Sequence, residues 1–450
     1  MSSLERLGGE AIGERSSTAK VAIASWIGNS IEYYDFAVYG TAAALVFNKL
    51  FFPSLSPIIG TLAAFATFGV GFIARPLGGA FFGNLGDKIG RKPVLVVTIL
   101  LMGIATFLIG VLPPYSSIGI LAPILLVLLR LAQGFGVGGE WGGAMTMVIE
   151  HAPAGKRGFY GSWPQTGGFT SLLLSSAIFA LLTLMPKAAF LAWGWRIPFL
   201  VSIILVGIGL YIRTKIDETP VFDEVKETGT VDKSPFLDVI RTQYKSILSV
   251  IFLGFAVFVP YYVLNVFALS YGTQQLHISQ STMLTGIIIA SVIAFPAHLL
   301  WGALSDRIGR RPVYMIGAFL AVVLAFPFFW ILGTGVPVLI WLGYVMYINF
   351  SHNSMNAVQP AFFTERFSAR VRYSGASLGQ QLGAAIGGGF APFIAAALVA
   401  ASGGSWTYVA IFMVVAGLLS LVAAYFAQET YKRDLSANAV NAVVSPQPQV

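Results

Sequence analysis

Four ionisable side chains, Glu32, Asp35, Arg130 and Glu140, stand inside long apolar runs of the sequence. A charge in hydrocarbon costs several kcal/mol unless it is paired or hydrated, so such groups mark functional positions. Arg130 keeps its charge, and its planar fork suits two parallel hydrogen bonds to a carboxylate. A carboxyl in a low-dielectric site takes a proton more readily, and a nearby arginine opposes that. Arg130 is therefore expected to take a carboxylate cargo and Asp35 a proton; the same two residues would also serve as a permanent tie between their helices. Glu32 and Glu140 fit either a proton relay or hydrogen bonds between helices.

A polar series, Asn349, His352, Asn353, Asn356 and Gln359, recurs at three- and four-residue spacing and forms one stripe on a helix. It is read as a cavity wall for substrate hydroxyls, with His352 able to contribute a proton. Polar packing between helices is the competing reading. Tyr33, Tyr34, Tyr39, Gln133, Tyr261, Tyr262 and Asn265 are further candidates for the wall, with Trp163, Gln165, Gln380 and Gln381 behind them. His298 is read as packing. The histidines lack acid partners at ligand spacing, so no metal site is expected.

The elements that must hold these residues follow from composition. The chain has 450 residues, 56% hydrophobic and 10% charged, with a mean hydropathy of +0.78. About a quarter of the residues of a soluble domain are charged, so a soluble enzyme is excluded. So is disorder, with 14% aromatics. No cysteine is present, which removes disulfides and thiolate metal sites. A membrane span needs about 20 apolar residues to cross ~30 Å. Twelve candidates lie at about 20–48, 57–82, 94–112, 121–149, 159–185 and 191–213, then 244–272, 281–304, 313–333, 336–363, 372–400 and 405–427. The expected organisation is an N-terminal segment 1–19, a six-helix bundle 20–213, a polar linker 214–243, a second bundle 244–427 and an unstructured tail 428–450. At ~1.5 Å per residue, Asp35 and Arg130 both approach the middle of the bilayer.

Charge fixes the expected orientation. With both termini inside, three of the 27 Lys and Arg residues fall outside (Lys49, Lys187 and Arg196), Arg130 lies within a span, and the remaining 23 are cytoplasmic. This is the bias that cytoplasmic loops carry. None of the 19 acids falls in an external loop, and that field favours an anionic cargo. Gly134 to Gly139 satisfies a dinucleotide-binding pattern, but it lies inside an apolar span, where small residues serve close helix approach. No Walker loop is present. No cofactor and no nucleic acid are expected.

Two motifs recur. Gly83-Asn84-Leu85-Gly86-Asp87-Lys88-Ile89-Gly90-Arg91 follows span two, and Gly302-Ala303-Leu304-Ser305-Asp306-Arg307-Ile308-Gly309-Arg310 follows span eight. Glu150 with Arg157, and Glu365 with Arg372, end spans four and ten at the same internal spacing. Two motifs repeated at nearly one offset indicate duplicated halves, with a cavity at their interface. The acids can cap a neighbouring helix end, and the arginines can pair with Glu150 or Glu365. Arg75, Asp87, Arg91, Glu150, Arg157, Asp306, Arg310, Glu365 and Arg372 form the expected gating set, unless they only fix topology and loop shape.

These residues resemble the major facilitator superfamily over essentially the whole chain. A closer resemblance, to the metabolite:proton symporter family, rests on Gly28-Asn29-Ser30-Ile31-Glu32-Tyr33-Tyr34-Asp35-Phe36, Arg75-Pro76-Leu77-Gly78-Gly79, Arg130-Leu131-Ala132-Gln133-Gly134-Phe135, Gly138 to Gly143 and Trp193 to Phe199. Within it, Gly60 to Phe72 and Gly387 to Ile394 are similar to shikimate permeases. The resemblance implies twelve transmembrane helices in two pseudo-symmetric six-helix bundles, an all-α integral membrane fold. It further implies proton-driven uptake of a small organic acid such as shikimate or 2-oxoglutarate across a bacterial inner membrane, by alternating access and without enzymatic chemistry. A monomer suffices, with lipid, proton and substrate as partners. The alternatives are proton symport of zwitterions such as betaine and proline, or a passive facilitator or sensor.

Overall fold

A computed structural model describes residues 18–89, 91–138, 140–215, 235–368 and 371–433. Nearly all of the expected N-terminal segment, most of the linker and the tail beyond Arg433 lie outside the described residues. In hydrocarbon every backbone N–H and C=O must find its partner inside the segment, which leaves helices as the way to cross. The described residues form helices throughout. Nine of these helices are long and apolar enough to span a membrane, and Val96–Val111 is a shorter apolar one. The other two crossings are span one, with Asn29, Glu32 and Asp35, and span ten, with its polar stripe and broken helix. Large apolar side chains such as Ile58, Ile104, Leu128 and Leu300 cover the outside, as a surface facing lipid requires.

In the first half, span one is Thr18–Ala42 continued by Ala43–Phe47 and Asn48–Leu50. Spans two and three are Pro57–Ile89 and Arg91–Val111. Span four is Leu121–Val137 followed by Glu140–His151, and spans five and six are Arg157–Leu182 and Ile197–Lys215. In the second half, span seven is Pro235–Tyr262 continued to Gln274, and spans eight and nine are Gln280–Ile308 and Arg310–Gly333. Span ten begins at Pro337–Met346 and ends with Gln359–Thr364; spans eleven and twelve start at Arg372–Gly383 and Thr407–Phe426. Span seven begins nine residues before the expected 244, with its kink at Gln243 (φ −130°, ψ 30°).

The duplication is visible in three dimensions. Span five packs along span eight, and span two packs along span eleven, so each half offers the same two helices to the other. Span one carries a π-helical turn at Ala43–Phe47, and span seven carries one at Val263–Phe267, 220 residues later. Spans two and four cross so closely that Gly71 and Gly134 touch backbone to backbone, as do Gly79 and Gly138. A Cβ at Gly134, Gly79 or Gly138 would meet main chain, and one at Gly71 would meet the Arg130 side chain. The Gly134–Gly138 run is thus a helix-packing device.

The first and last described residues, Thr18 and Arg433, share one end of the molecule, here termed the basic face. There Asp306 accepts from the backbone N–H groups of Gly158 and Phe159, both at 2.8 Å, and so caps the N-terminus of span five from the other half. Arg310 holds Asp306 at 2.7 Å and Glu365 at 3.4 Å, and Arg372 holds Glu150 at 2.8 Å across the halves. Residues Gln428 to Arg433, assigned above to an unstructured tail, lie along this cluster. Glu429 accepts from the N–H groups of Arg310 and Arg311, capping span nine. Thr430 donates to Glu365, and Arg433 donates to the Glu365 carbonyl while its own carbonyl accepts from Arg157.

Candidate substrate and proton site

Arg130 enters from span four with no exposed surface. Gly71 lets it lie flat, because a Cβ there would meet its Nε. Its guanidinium carbon stands 4.1 Å from the ring centre of Phe36, 4.3 Å from that of Tyr39 and 5.0 Å from that of Phe68. Aromatic faces attract a cation in this way, by about 2 kcal/mol or more when desolvated. Nη1 donates to Gln133 Oε1 at 3.1 Å, Nε reaches the Phe68 carbonyl at 3.5 Å, and Nη2 has no hydrogen-bond partner. A buried orphan donor costs about 1–3 kcal/mol, so this N–H is kept for something or costs stability to no purpose.

Asp35 and Arg130 do not meet directly. The described ion pairs involve Arg310 and Arg372 instead. The expected contact is replaced by a relay: Gln133 takes Arg130 through its oxygen and gives its Nε2 to Thr106 Oγ1 at 2.6 Å. Thr106 is within hydrogen-bonding reach of Asp35, and Arg130 and Glu140 lie within electrostatic reach of the same carboxyl. The Thr106 hydroxyl has one proton to give, to Met102 O at 2.9 Å or to Asp35. Sequence reasoning missed Thr106 because a threonine in an apolar span carries no signal of its own; only its place on span three makes it the link. Glu140 accepts from Thr98 at 2.7 Å, a bond between spans three and four. Glu32 is buried beside Tyr33 and Tyr262.

A small cavity lies between the halves, with Tyr33, Phe36, Thr41, Tyr261, Tyr262 and Asn265 in its wall. Three of these were expected there from span seven, and Tyr33 from span one. Tyr34 was also expected there, but it faces span six, where its hydroxyl donates to the Pro198 carbonyl at 2.9 Å. Tyr39 is likewise off the cavity, donating to Thr67 at 2.7 Å beneath Arg130. Adjacent residues on a helix differ by about 100°, so one of two neighbouring tyrosines had to face away.

The span-ten stripe divides. Its register changes in the π-helical turn Tyr347–His352. Asn349 and Asn353 turn to span eight: Asn349 donates to the Ala290 carbonyl at 3.3 Å and accepts from Asn353 at 2.9 Å. This is the interhelical reading, not the cavity wall. His352 and Asn356 turn the other way. Asn356 meets His352 Nε2 at 3.0 Å and receives Gln165 from span five, which in turn accepts from Trp141 at 3.2 Å. His352 stacks on Tyr261, with ring centres 5.0 Å apart. His298 is fully buried against Phe169. Trp163 faces Phe295 of span eight at 5.8 Å, away from the cavity wall. Gln380 and Gln381 are buried in span eleven, and Gln381 reaches the Gly138 carbonyl. Arg75, expected in the gating set, instead stacks on Phe36 at 3.8 Å and Phe72 at 4.3 Å. The side chains of Asp87 and Arg91 lie outside the described residues.

The opposite face is also drawn together. Gln274 donates to the Ala44 carbonyl at 3.0 Å, and its oxygen receives Asn48 and Thr61. Outside this contact lies a vestibule that includes Lys49, Lys187, Thr183 and Ser279.

The model of the Major Facilitator Superfamily matches residues 25–388. The chain belongs to the major facilitator superfamily. It is 43% identical over 425 residues to the shikimate transporter of Escherichia coli K12, covering 93% of this chain and 96% of that one. It is 39% identical to the inner membrane metabolite transport protein YhjE of the same organism, covering 85% and 88%. To the proline/betaine transporter of that strain it is 38% identical, covering 92% and 84%. Among solved structures, the xylose transporter XylE from E. coli in a partially occluded inward open conformation superposes with a TM-score of 0.71 at 19% identity, covering 93% of this chain and 100% of that one. The proton:xylose symporter XylE bound to 6-bromo-6-deoxy-D-glucose gives 0.73 at 18%, covering 96% and 99%. The protein is therefore a multi-pass membrane transporter of this superfamily and not an enzyme.

Proposed function

We propose that the protein is a proton-coupled importer of a small organic acid, working by alternating access in a bacterial inner membrane with its basic face in the cytoplasm. The observation that carries this is the buried relay from Arg130 through Gln133 and Thr106 to Asp35, beside a small cavity between the halves. Arg130 Nη2 has no hydrogen-bond partner, which suits a cargo carboxylate. A carboxylate drawn to Arg130 pulls on Gln133, which frees the Thr106 hydroxyl to turn, and so alters the stability of charge on Asp35. Cargo and proton are coupled through that sequence. The likeness to the shikimate transporter supports a hydroxylated carboxylate as cargo.

A second reading is favoured by the aromatic wall of Tyr33, Phe36, Tyr261 and Tyr262. Aromatic faces hold quaternary ammonium groups, and relatives named proline/betaine transporters match nearly the whole chain. Uptake into proteoliposomes with an imposed proton gradient separates the two. Labelled shikimate, 2-oxoglutarate and citrate should accumulate and collapse with a protonophore. Accumulation of glycine betaine or proline, with no uptake of these organic anions, would replace the organic-acid reading by the zwitterion one.

A further inference from the structure

Two buried cations share one aromatic ring. The guanidinium carbons of Arg75 and Arg130 stand 3.8 Å and 4.1 Å from the centre of Phe36, so they lie no farther apart than the sum of those distances. Both are buried, and each feels the same hydroxyl, that of Tyr262 from the other half. Among the described residues neither takes part in an ion pair. Each keeps a buried N–H without a partner, Nε of Arg75 and Nη2 of Arg130. Phe36 stands in the cavity wall with both guanidinium groups over its ring, and neither arginine lines the cavity.

We infer that Arg75 and Arg130 form a two-cation carboxylate site and that Phe36 is its shutter. The inference rests on the organic-acid reading above. When the cavity is empty, the ring face stabilises two like charges that take part in no ion pair. When a carboxylate enters, the ring turns aside and the anion takes its place between the forks. Cation–π contacts are exchanged for charge-assisted hydrogen bonds, which are stronger and directional. A neutral or cationic cargo offers no such exchange and leaves the ring where it is, so Phe36 and Arg75 select for the carboxylate group. Arg75 is held for this task by helix geometry: its carbonyl lies against Gly138 at the crossing of spans two and four, so span two cannot slide without moving it.

The test uses the full chain in proteoliposomes and 2,3-butanedione, a small reagent for arginine, with modification at each site read by mass spectrometry. In the wild type both arginines should react slowly. Phe36→Leu should speed both at least tenfold, and shikimate should protect both in that variant, with thermal melting close to wild type. Phe36→Tyr, which keeps a ring face, should react like the wild type and shows that the protein folds if Phe36→Leu does not. Arg75→Lys should raise the KM for shikimate at least tenfold while leaving melting unchanged. An unchanged rate in a folded Phe36→Leu protein, or protection of Arg130 without Arg75, overturns the two-cation site while leaving carboxylate transport intact. A wild-type protein that transports betaine and neither shikimate, 2-oxoglutarate nor citrate overturns the organic-acid reading itself, and the anion selectivity assigned to this site with it.

Discussion

Gln133 is the residue on which the two ends of the site depend. Arg130 and Asp35 stand on helices of the same half and feel each other's charge, but they form no ion pair; this amide and the Thr106 hydroxyl stand between them. The arrangement suits coupling better than a direct ion pair would. A buried pair is strongly destabilised when one partner leaves, whereas an amide and a hydroxyl can turn and keep their bonds. The burial of Asp35 and Arg130 was legible in the sequence, because both lie well inside apolar runs. Which neighbour joins them was not, since threonine and glutamine in a membrane helix carry no period. The two tyrosines after Glu32 make the same point. Tyr34 is expected to matter for stability and not for transport: Tyr34→Phe removes its bond to the Pro198 carbonyl and should cost about 1 kcal/mol. Thermal unfolding should register that loss while the KM for cargo stays unchanged. A raised KM with unchanged melting would place Tyr34 in the cavity after all.

At the scale of elements, the helix ends at the basic face hold one another. Asp306 caps span five from the other half, and Glu429 caps span nine from the chain's own C-terminal segment. The first was readable, because the repeated loop sets an acid where a helix terminus comes past. The second was not, because six residues after the last span have no pattern, and their order comes from the carboxyl, hydroxyl and carbonyl groups they meet. The π-helical turn in span ten likewise escaped a 3.6-residue reading and split the stripe in two. Removing residues 429–450 should loosen the closed basic face. A cap contributes about 1 kcal/mol, which shifts an open-to-closed ratio roughly fivefold. The absence of cysteine makes this measurable. Ser305→Cys, buried beside Gly158 and Gly302, should react several-fold faster with a maleimide in the truncated protein. Equal rates would mean that the segment rides on the face without closing it.

The whole molecule is drawn together at both faces around a small cavity, by the basic cluster on one side and Gln274 on the other. Alternating access requires these two sets of bonds to break in turn. Twelve crossings, the repeat and the basic face all follow from hydropathy and charge, which act over tens of residues. The relation between the halves follows from glycines at crossings, where the sequence shows only that close approach is allowed. The vestibule with Lys49 and Lys187 extends the charge argument beyond the membrane. Lys49→Gln combined with Lys187→Gln should slow carboxylate uptake at low ionic strength, and added salt should abolish the difference. A defect that persists at high salt would make the lysines direct ligands and not part of a steering field.

The central claim is that cargo and proton are joined through Gln133. It is tested most directly by accumulation of labelled shikimate in proteoliposomes under an imposed pH gradient, with counterflow measured beside it. Asp35→Asn and Gln133→Leu should each lose uphill accumulation by tenfold or more and still exchange cargo across equal concentrations. Accumulation and pH dependence that match the wild type in either variant would contradict it.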